Sequence, residues 1–386
     1  MSASTLKNKK IYIFISTESQ CPSFAKILSS SEDEELNITI ICLRPGLSKH
    51  KAWNAIKNFN LAFIDFSNNF HLSKLGLYDS IRSSKIRRNT LATLIDFDSS
   101  DESILLTDNL YRSHEMTFLS LANKIKKIIS IPHGLAIIES NIIYRFKAEL
   151  SKLIRVALLF YLPRLIMLKP FVLLHSRIIK VRLLKIKGKK NYIACGNIQV
   201  KLSVERLQEI RTNYQETNNI LFMGSGAFRF PNDVFDNQKT LNVINFANEY
   251  CIKNNLSLFL KFKKGEDIKF LKDIHGYEKF NLLSDSSDFI NIVNEIKPTH
   301  IFCSTLSTMV SELLLAGFKV IMYDPGRFKR NVDSYAEIYK RCNLDTQNLN
   351  LENLTPITFK TNEDREKLKN LIGYSDVNFN FIDQCL

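Results

Sequence analysis

Short apolar runs alternate with longer amphipathic stretches along most of this chain, and that rhythm constrains its fold more than any other feature. IYIFIS (11–16), NITIICL (37–43), LAFIDF (61–66), SILLTDN (103–109) and IISIPHG (128–134) are brief, rich in β-branched residues and bounded by polar turns. Such runs are the mark of strands buried on both faces. Helix-length segments separate them at 20–30, 49–58, 73–95 and 114–127. Strand–helix–strand repeats build a parallel sheet covered by helices on each side.

The rhythm resumes after a break. NYIACGN (191–197) reads as a connector strand at a domain boundary. Strands are then expected at NNILFMGSG (218–226), LSLFLKFK (256–263), KFNLLS (279–284), THIFCS (299–304) and FKVIMYD (318–324), with helices over 238–254, 286–297, 307–316 and 331–341. A chain of 386 residues exceeds what one core usually serves. The expected fold class is therefore α/β, with two doubly wound Rossmann-like domains facing a cleft. The first spans 1–190 and the second 191–386.

Composition narrows the class. A chain that is 45% hydrophobic is a globular one rather than a disordered one. Its seven cysteines are scattered, odd in number and without a C-x-x-C pair. That pattern fits a reducing compartment and argues against a disulfide framework or a zinc site. The apolar run Ile11–Ile15 is too short for a signal-peptide core, and no stretch reaches the length of a membrane span. A cytoplasmic location follows as the expectation.

The net charge of +14 is concentrated in one place. Residues 141–190 hold 13 Lys or Arg against the single acid Glu149, which is +12 of the total. Within 147–187 the basic residues interleave with Leu, Ile, Val and Phe. The texture suits an interfacial helix in anionic headgroups, on the inner face of the cytoplasmic membrane. A basic helical hairpin packed on its own domain is the plain alternative. Nucleic acid is not expected as a partner, because the segment offers no aromatic stacking platform.

The strongest chemical signal is THIFCSTLSTMVSELLLAGFKVIMYDPG (299–326). Ser304, Thr305, Ser307 and Thr308 follow a strand at a helix start. Hydroxyls there join unpaired backbone N–H groups and the positive end of the helix dipole, a favourable seat for a phosphate or diphosphate. Glu312, further along the same helix, could accept from ribose hydroxyls. Ser/Thr capping with a surface Glu is the bland reading. Gly224 and Ser225 follow the first strand of the second domain, where small residues let a backbone approach a ligand. Lys261 and Lys263 end the next strand and could meet phosphate as point charges, or be solvated. In the first domain His133, Glu18 and Asp108 all lie at strand ends and compete for the role of base that deprotonates an acceptor hydroxyl.

The stretch 299–326 resembles the donor-site helix of GT-B glycosyltransferases of bacterial capsule, lipopolysaccharide and sialic-acid synthesis. Ser304, Thr305, Ser307, Thr308, Glu312 and Gly317 match that pattern. The resemblance implies a GT-B-like fold and a glycosyltransferase working on a nucleotide-sugar donor and a glycan or glycolipid acceptor, with no metal and no cofactor. Sialyltransferase-like families end the second donor-domain strand in His-Pro. Here the stretch is LFLKFKKGED (258–267), without His, which points away from a CMP-sialic acid donor. Rival readings are a CDP-alcohol polyol-phosphate transferase of teichoic-acid type using His133 as base, a nucleotide-sugar epimerase, and a non-catalytic nucleotide-sugar-binding scaffold.

Overall fold

The computed structural model describes residues 9–18, 20–31, 36–66, 89–95, 102–107, 125–131, 171–174, 192–194, 196–213, 215, 217–224, 237–262, 280–283, 288–303, 308–322, 338–344, 356–375 and 377. The chain divides into two compact units. The first comprises Met1–Ala136, Ile142–Gln199 and Ile372–Leu386, and the second Ile137–Asn141 and Val200–Leu371.

Seven parallel strands form the sheet of the first unit among the described residues: β1 (Lys9–Ile15), β2 (Asn37–Cys42), β3 (Asn60–Asp65), β4 (Glu102–Thr107), β5 (Ile125–Ser130), β6 (Phe171–Leu174) and β7 (Tyr192–Ala194). Their spatial order is β3-β2-β1-β4-β5-β6-β7. β1 pairs in parallel with β2 on one side and β4 on the other. Its alternate residues Ile11, Ile13 and Ile15, and the intervening Tyr12 and Phe14, are all buried. Both faces are covered, which is why the run is apolar throughout rather than alternating.

Helix α1 (Gln20–Ser29) packs Cys21, Phe24, Ala25, Ile27 and Leu28 inward. That is the i, i+3, i+4, i+7 stripe of a half-buried helix. Pro22 is tolerated because it lies in the first turn, where its missing N–H breaks no helical bond.

Among the described residues the second unit carries a five-stranded parallel sheet: β8 (Asn219–Met223), β9 (Ser257–Lys261), β10 (Asn281–Leu282), β11 (His300–Cys303) and β12 (Val320–Met322), in the order β10-β9-β8-β11-β12. Its helices are α2 (Ile198–Thr212, the first two residues belonging to the first unit), α3 (Asn237–Lys253), α4 (Phe289–Ile296), α5 (Thr308–Leu315) and α6 (Asn362–Ile372, the last residue returning to the first unit). Ile220, Phe222, Val243, Ile244, Leu258, Leu260, Phe262 and Phe302 form one buried cluster between strands and α3. Both sheets are doubly wound, so the α/β class with two Rossmann-like domains holds.

Several elements differ from expectation. The strand β6 lies inside the basic segment 147–187, so that segment is not one continuous amphipathic helix. FVLL is four apolar residues directly after Pro170, the profile of an interior parallel strand, and reading the segment by its basic texture hid it. β7 belongs to the first sheet, and the described division falls at 199/200 rather than at the expected 190/191. β5 begins at Ile125, inside the expected helix 114–127, and the expected helix 49–58 is two short 3-10 turns, Leu47–Lys49 and Lys51–Ile56. No helix among the described residues is long and apolar enough to cross a membrane.

Candidate functional site

In an open parallel sheet the strand order reverses where the chain crosses back over its first strand, and ligands bind outside the carboxyl ends there. In the second unit that reversal lies between β8 and β11, which are direct neighbours with His300 opposite Ile220 and Cys303 opposite Met223. Gly224 immediately follows β8, Lys261 closes β9, and the segment 304–307 joins the end of β11 to Thr308, the first residue of α5. Parallel registry puts all of these on one edge. The topology therefore brings Gly224, Lys261 and Thr308 to the reversal. Ser225, Lys263, Ser304, Thr305 and Ser307 lie outside the described residues.

Gly224 is fixed by crowding. Its N–H donates to the Lys261 carbonyl at 2.7 Å. A Cβ added there would come 2.7 Å from Cδ1 of Phe262 and 3.3 Å from the Lys261 oxygen. Phe262 cannot swing aside easily, since it is buried beside Phe222 with ring centroids 6.1 Å apart. Lys261 itself is buried to 9% exposure, unusual for a lysine and directed by its place at the strand end.

α5 buries Val310, Ser311, Glu312, Leu313, Leu314 and Leu315. It closes at Gly317, whose φ of +86° supplies the left-handed step. The Phe318 N–H reaches back to the Leu313 carbonyl at 3.0 Å, and the Leu315 carbonyl accepts from Arg365 Nη2 at 2.7 Å. Glu312 is only 4% exposed. Burial, above all, pushes its carboxyl from 4.5 up to about 8; a hydrogen bond with Ser203 of α2 draws it down, and the charge of Asp288 adds to the rise. At neutral pH this carboxyl is mostly protonated and contributes little negative charge at the helix.

Next to it, the Ser311 hydroxyl and the Tyr339 hydroxyl share a buried hydrogen bond of 2.6 Å. Tyr339→Phe should lower unfolding free energy by about 1–2 kcal/mol, because the serine hydroxyl loses that partner in a dry setting; urea titration of both proteins measures it. Cys303, at the end of β11, has its thiol pushed up to about 12 by burial, so it supplies no thiolate there.

In the first unit the corresponding reversal lies between β1 and β4. Glu18 sits in the turn after β1 and is exposed. Thr107 ends β4 fully buried. Asp108 and His133 lie outside the described residues. Sequence reasoning overlooked Ser203 and Tyr339, which hold α5 from other elements, and Gln20, which lies at the first reversal. For Gln20 a signal existed: a carboxamide at the first residue of a helix that follows a strand end.

No family model and no curated protein matches the chain. Solved structures do. A UDP-GlcNAc 2-epimerase from Neisseria meningitidis bound to UDP-GlcNAc is similar with TM-score 0.53 and 11% identity, covering 98% of this chain and 94% of that one. The UDP-GlcNAc 2-epimerase from Methanocaldococcus jannaschii, in complex with UDP-GlcNAc and UDP, gives 0.53 and 12%, covering 97% and 98%. UGT2 of Phytolacca americana, complexed with UDP-2fluoro-glucose and pterostilbene, gives 0.50 and 12%, covering 97% and 98%. At such identities the likeness is one of fold, and it runs the length of the chain.

Proposed function

We propose that this chain is a nucleotide-sugar-dependent glycosyltransferase whose second unit holds the donor. One observation carries the reading: Gly224, Lys261 and the hydroxyl-rich segment entering α5 at Thr308 all leave the carboxyl edge of a parallel sheet at its strand-order reversal. In this reading the donor phosphates rest on Ser304, Thr305, Ser307 and Thr308, with Lys261 and Lys263 as counter-charges and Gly224–Ser225 lining the approach. The ribose lies near Glu312. A carboxyl kept mostly protonated adds little repulsion to a diphosphate bound at the same helix.

The helix dipole and lysines then stabilise the departing nucleotide without a metal or cofactor. His133, Glu18 or Asp108 of the first unit takes the proton of the acceptor hydroxyl. The acceptor is a surface glycan or lipid-linked sugar, and the basic residues of 147–187 keep the protein on the inner face of the cytoplasmic membrane.

Thermal-shift measurement against nucleotides and nucleotide sugars tests the donor site. A donor at a hundred times its Kd should stabilise the protein by roughly 2.7 kcal/mol, and Ser304→Ala with Ser307→Ala should remove the shift. An unaltered shift in that double variant takes the segment out of the site.

A second reading is favoured by the names of the neighbours: a nucleotide-sugar epimerase. Incubating UDP-GlcNAc without any acceptor separates the two, because an epimerase converts the free sugar nucleotide and a transferase leaves its sugar configuration intact. CDP-glycerol turnover in place of sugar turnover would select the polyol-phosphate transferase, and nucleotide binding without turnover the scaffold.

A further inference from the structure

α5 carries an acid inside its inward-packing run. Glu312 lies among Val310, Ser311, Leu313, Leu314 and Leu315, all buried, and is itself 4% exposed. Ser203 of α2 hydrogen-bonds its carboxyl, and among the described residues no cation pairs with it. An enclosed carboxylate without a counter-charge is costly enough that the group takes up a proton instead. The neutral form is thus imposed by the way α5 is packed.

The surrounding elements have their charges engaged elsewhere. On α2, Arg206 Nη1 meets Asp288 at 3.5 Å, and Arg211 lies over the Phe318 ring. Asp288, the cap of α4, is the charged group that acts on Glu312, and it opposes ionisation. Cys303 at the end of β11 is a neutral thiol. β12 is apolar, and Lys319 ahead of it is exposed. The Tyr339 hydroxyl is bonded to Ser311, and Arg365 of α6 to the Leu315 carbonyl at the far end of α5. None of these offers an ionised Glu312 a counter-charge.

We propose that nucleotide binding in the second unit is linked to the proton on Glu312, so that a nucleoside diphosphate at the amino end of α5 is held while this enclosed carboxyl is neutral and loosened when it ionises. That the anion is a nucleoside diphosphate at this helix rests on the function proposed above. Thr308, the first residue of α5, and Glu312 are one turn apart, about 6 Å along the axis. Protein rather than water fills that interval, so like charges there are weakly screened. No contact between Glu312 and the ligand is required. Linkage is reciprocal: the bound anion raises the pH at which Glu312 gives up its proton, and the ionised carboxylate weakens the anion's hold by the same factor. Glu312 is neutral below about pH 8. Binding is therefore full on the acid side of that value and falls as pH rises through it.

The test uses the full chain, wild type and Glu312→Gln, with UDP, CDP and GDP as probes. Calorimetry at about pH 6.5 and about pH 9 gives the Kd of the tightest of the three. The nucleotide's own titrations are common to both proteins and cancel in the ratio of their affinities. The wild-type Kd should rise about fivefold more than that of the variant over this range. An equal change in both proteins overturns the linkage and leaves the donor reading standing. No binding of any of the three by the wild type overturns the donor reading, and the linkage with it. Should the variant fold poorly, wild-type protein with 13C-labelled glutamate carboxyls decides the matter. One carboxyl should titrate near pH 8, and at saturating nucleotide about 0.7 of a pH unit higher, the same fivefold factor. No glutamate titrating above pH 7, or a midpoint that the nucleotide leaves in place, overturns the proposal.

Discussion

Glu312→Gln should abolish a fall in stability that the wild-type protein shows between about pH 4.5 and pH 8. The folded state holds the Glu312 proton up to about pH 8, whereas the carboxyl ordinarily releases it near 4.5. Between these values the native state binds more protons than the unfolded chain, so unfolding free energy drops as pH rises. The stabilisation is complete below 4.5 and spent above 8. Over that window the wild type should lose a few kcal/mol, roughly 1.4 per unit of pH at the steepest. Glutamine retains the shape and a hydrogen bond for Ser203 without titrating. The two proteins should be of similar stability at pH 4 and the variant the more stable at pH 8.5. Urea midpoints measured across the range check this; parallel curves would mean that Glu312 titrates as an exposed acid does.

Gly224→Ala should cost about 1–3 kcal/mol, the range for forcing an extra methyl into a filled core. The methyl has to displace the Phe262 ring, 2.7 Å away, which packs in the cluster with Phe222, Leu260 and Phe302. For a domain of this size the melting point should fall by about 2–10 °C. Calorimetry of three proteins makes the cause visible. Phe262→Leu alone loses some packing, but in the double variant the smaller side chain admits the methyl, so the two penalties should sum to less than their separate values. Gly317→Ala offers a contrast: nothing stands within 4 Å of the added Cβ, and the cost there arises from the φ of +86°, about 1 kcal/mol of backbone strain.

Much of the fold was legible because parallel strands announce themselves. IYIFIS and NILFM are apolar without alternation, and such runs have little place except between two helix layers. β6 escaped because it is four residues long and set among Lys and Arg, so local texture outweighed the strand signal. α2 escaped for a different reason. Its buried residues Val200, Val204 and Leu207 keep helical spacing, but the stripe is three residues long, Ile198 falls on another face, and most of the remainder is polar. The helix is held by tertiary contacts, among them Ser203 on Glu312 and Arg206 on Asp288, which no local pattern reveals.

The candidate site was legible as chemistry but not as environment. The spacing of Thr308 and Glu312 placed both on one helix, yet the burial that keeps Glu312 largely protonated has no local sign, and its hydrogen-bond partner Ser203 lies on α2, more than 100 residues earlier. The carboxamide of Gln20 shows in the sequence only as an amide opening a helix after a strand end. That two backbone N–H groups occupy its oxygen, and that its NH2 group has no partner among the described residues, is visible only in the fold.

The strand order also sets a timetable for biosynthesis. β1, β2 and β3 can zip together as soon as residue 65 has left the ribosome, but β1 gains its other neighbour only with residues 102–107. In the second half β8 waits from residue 223 until residue 300 for β11. Each nascent half-sheet therefore carries a bare, apolar flank along its earliest strand for a stretch of translation. Chains stalled or truncated inside those intervals would be the sticky ones.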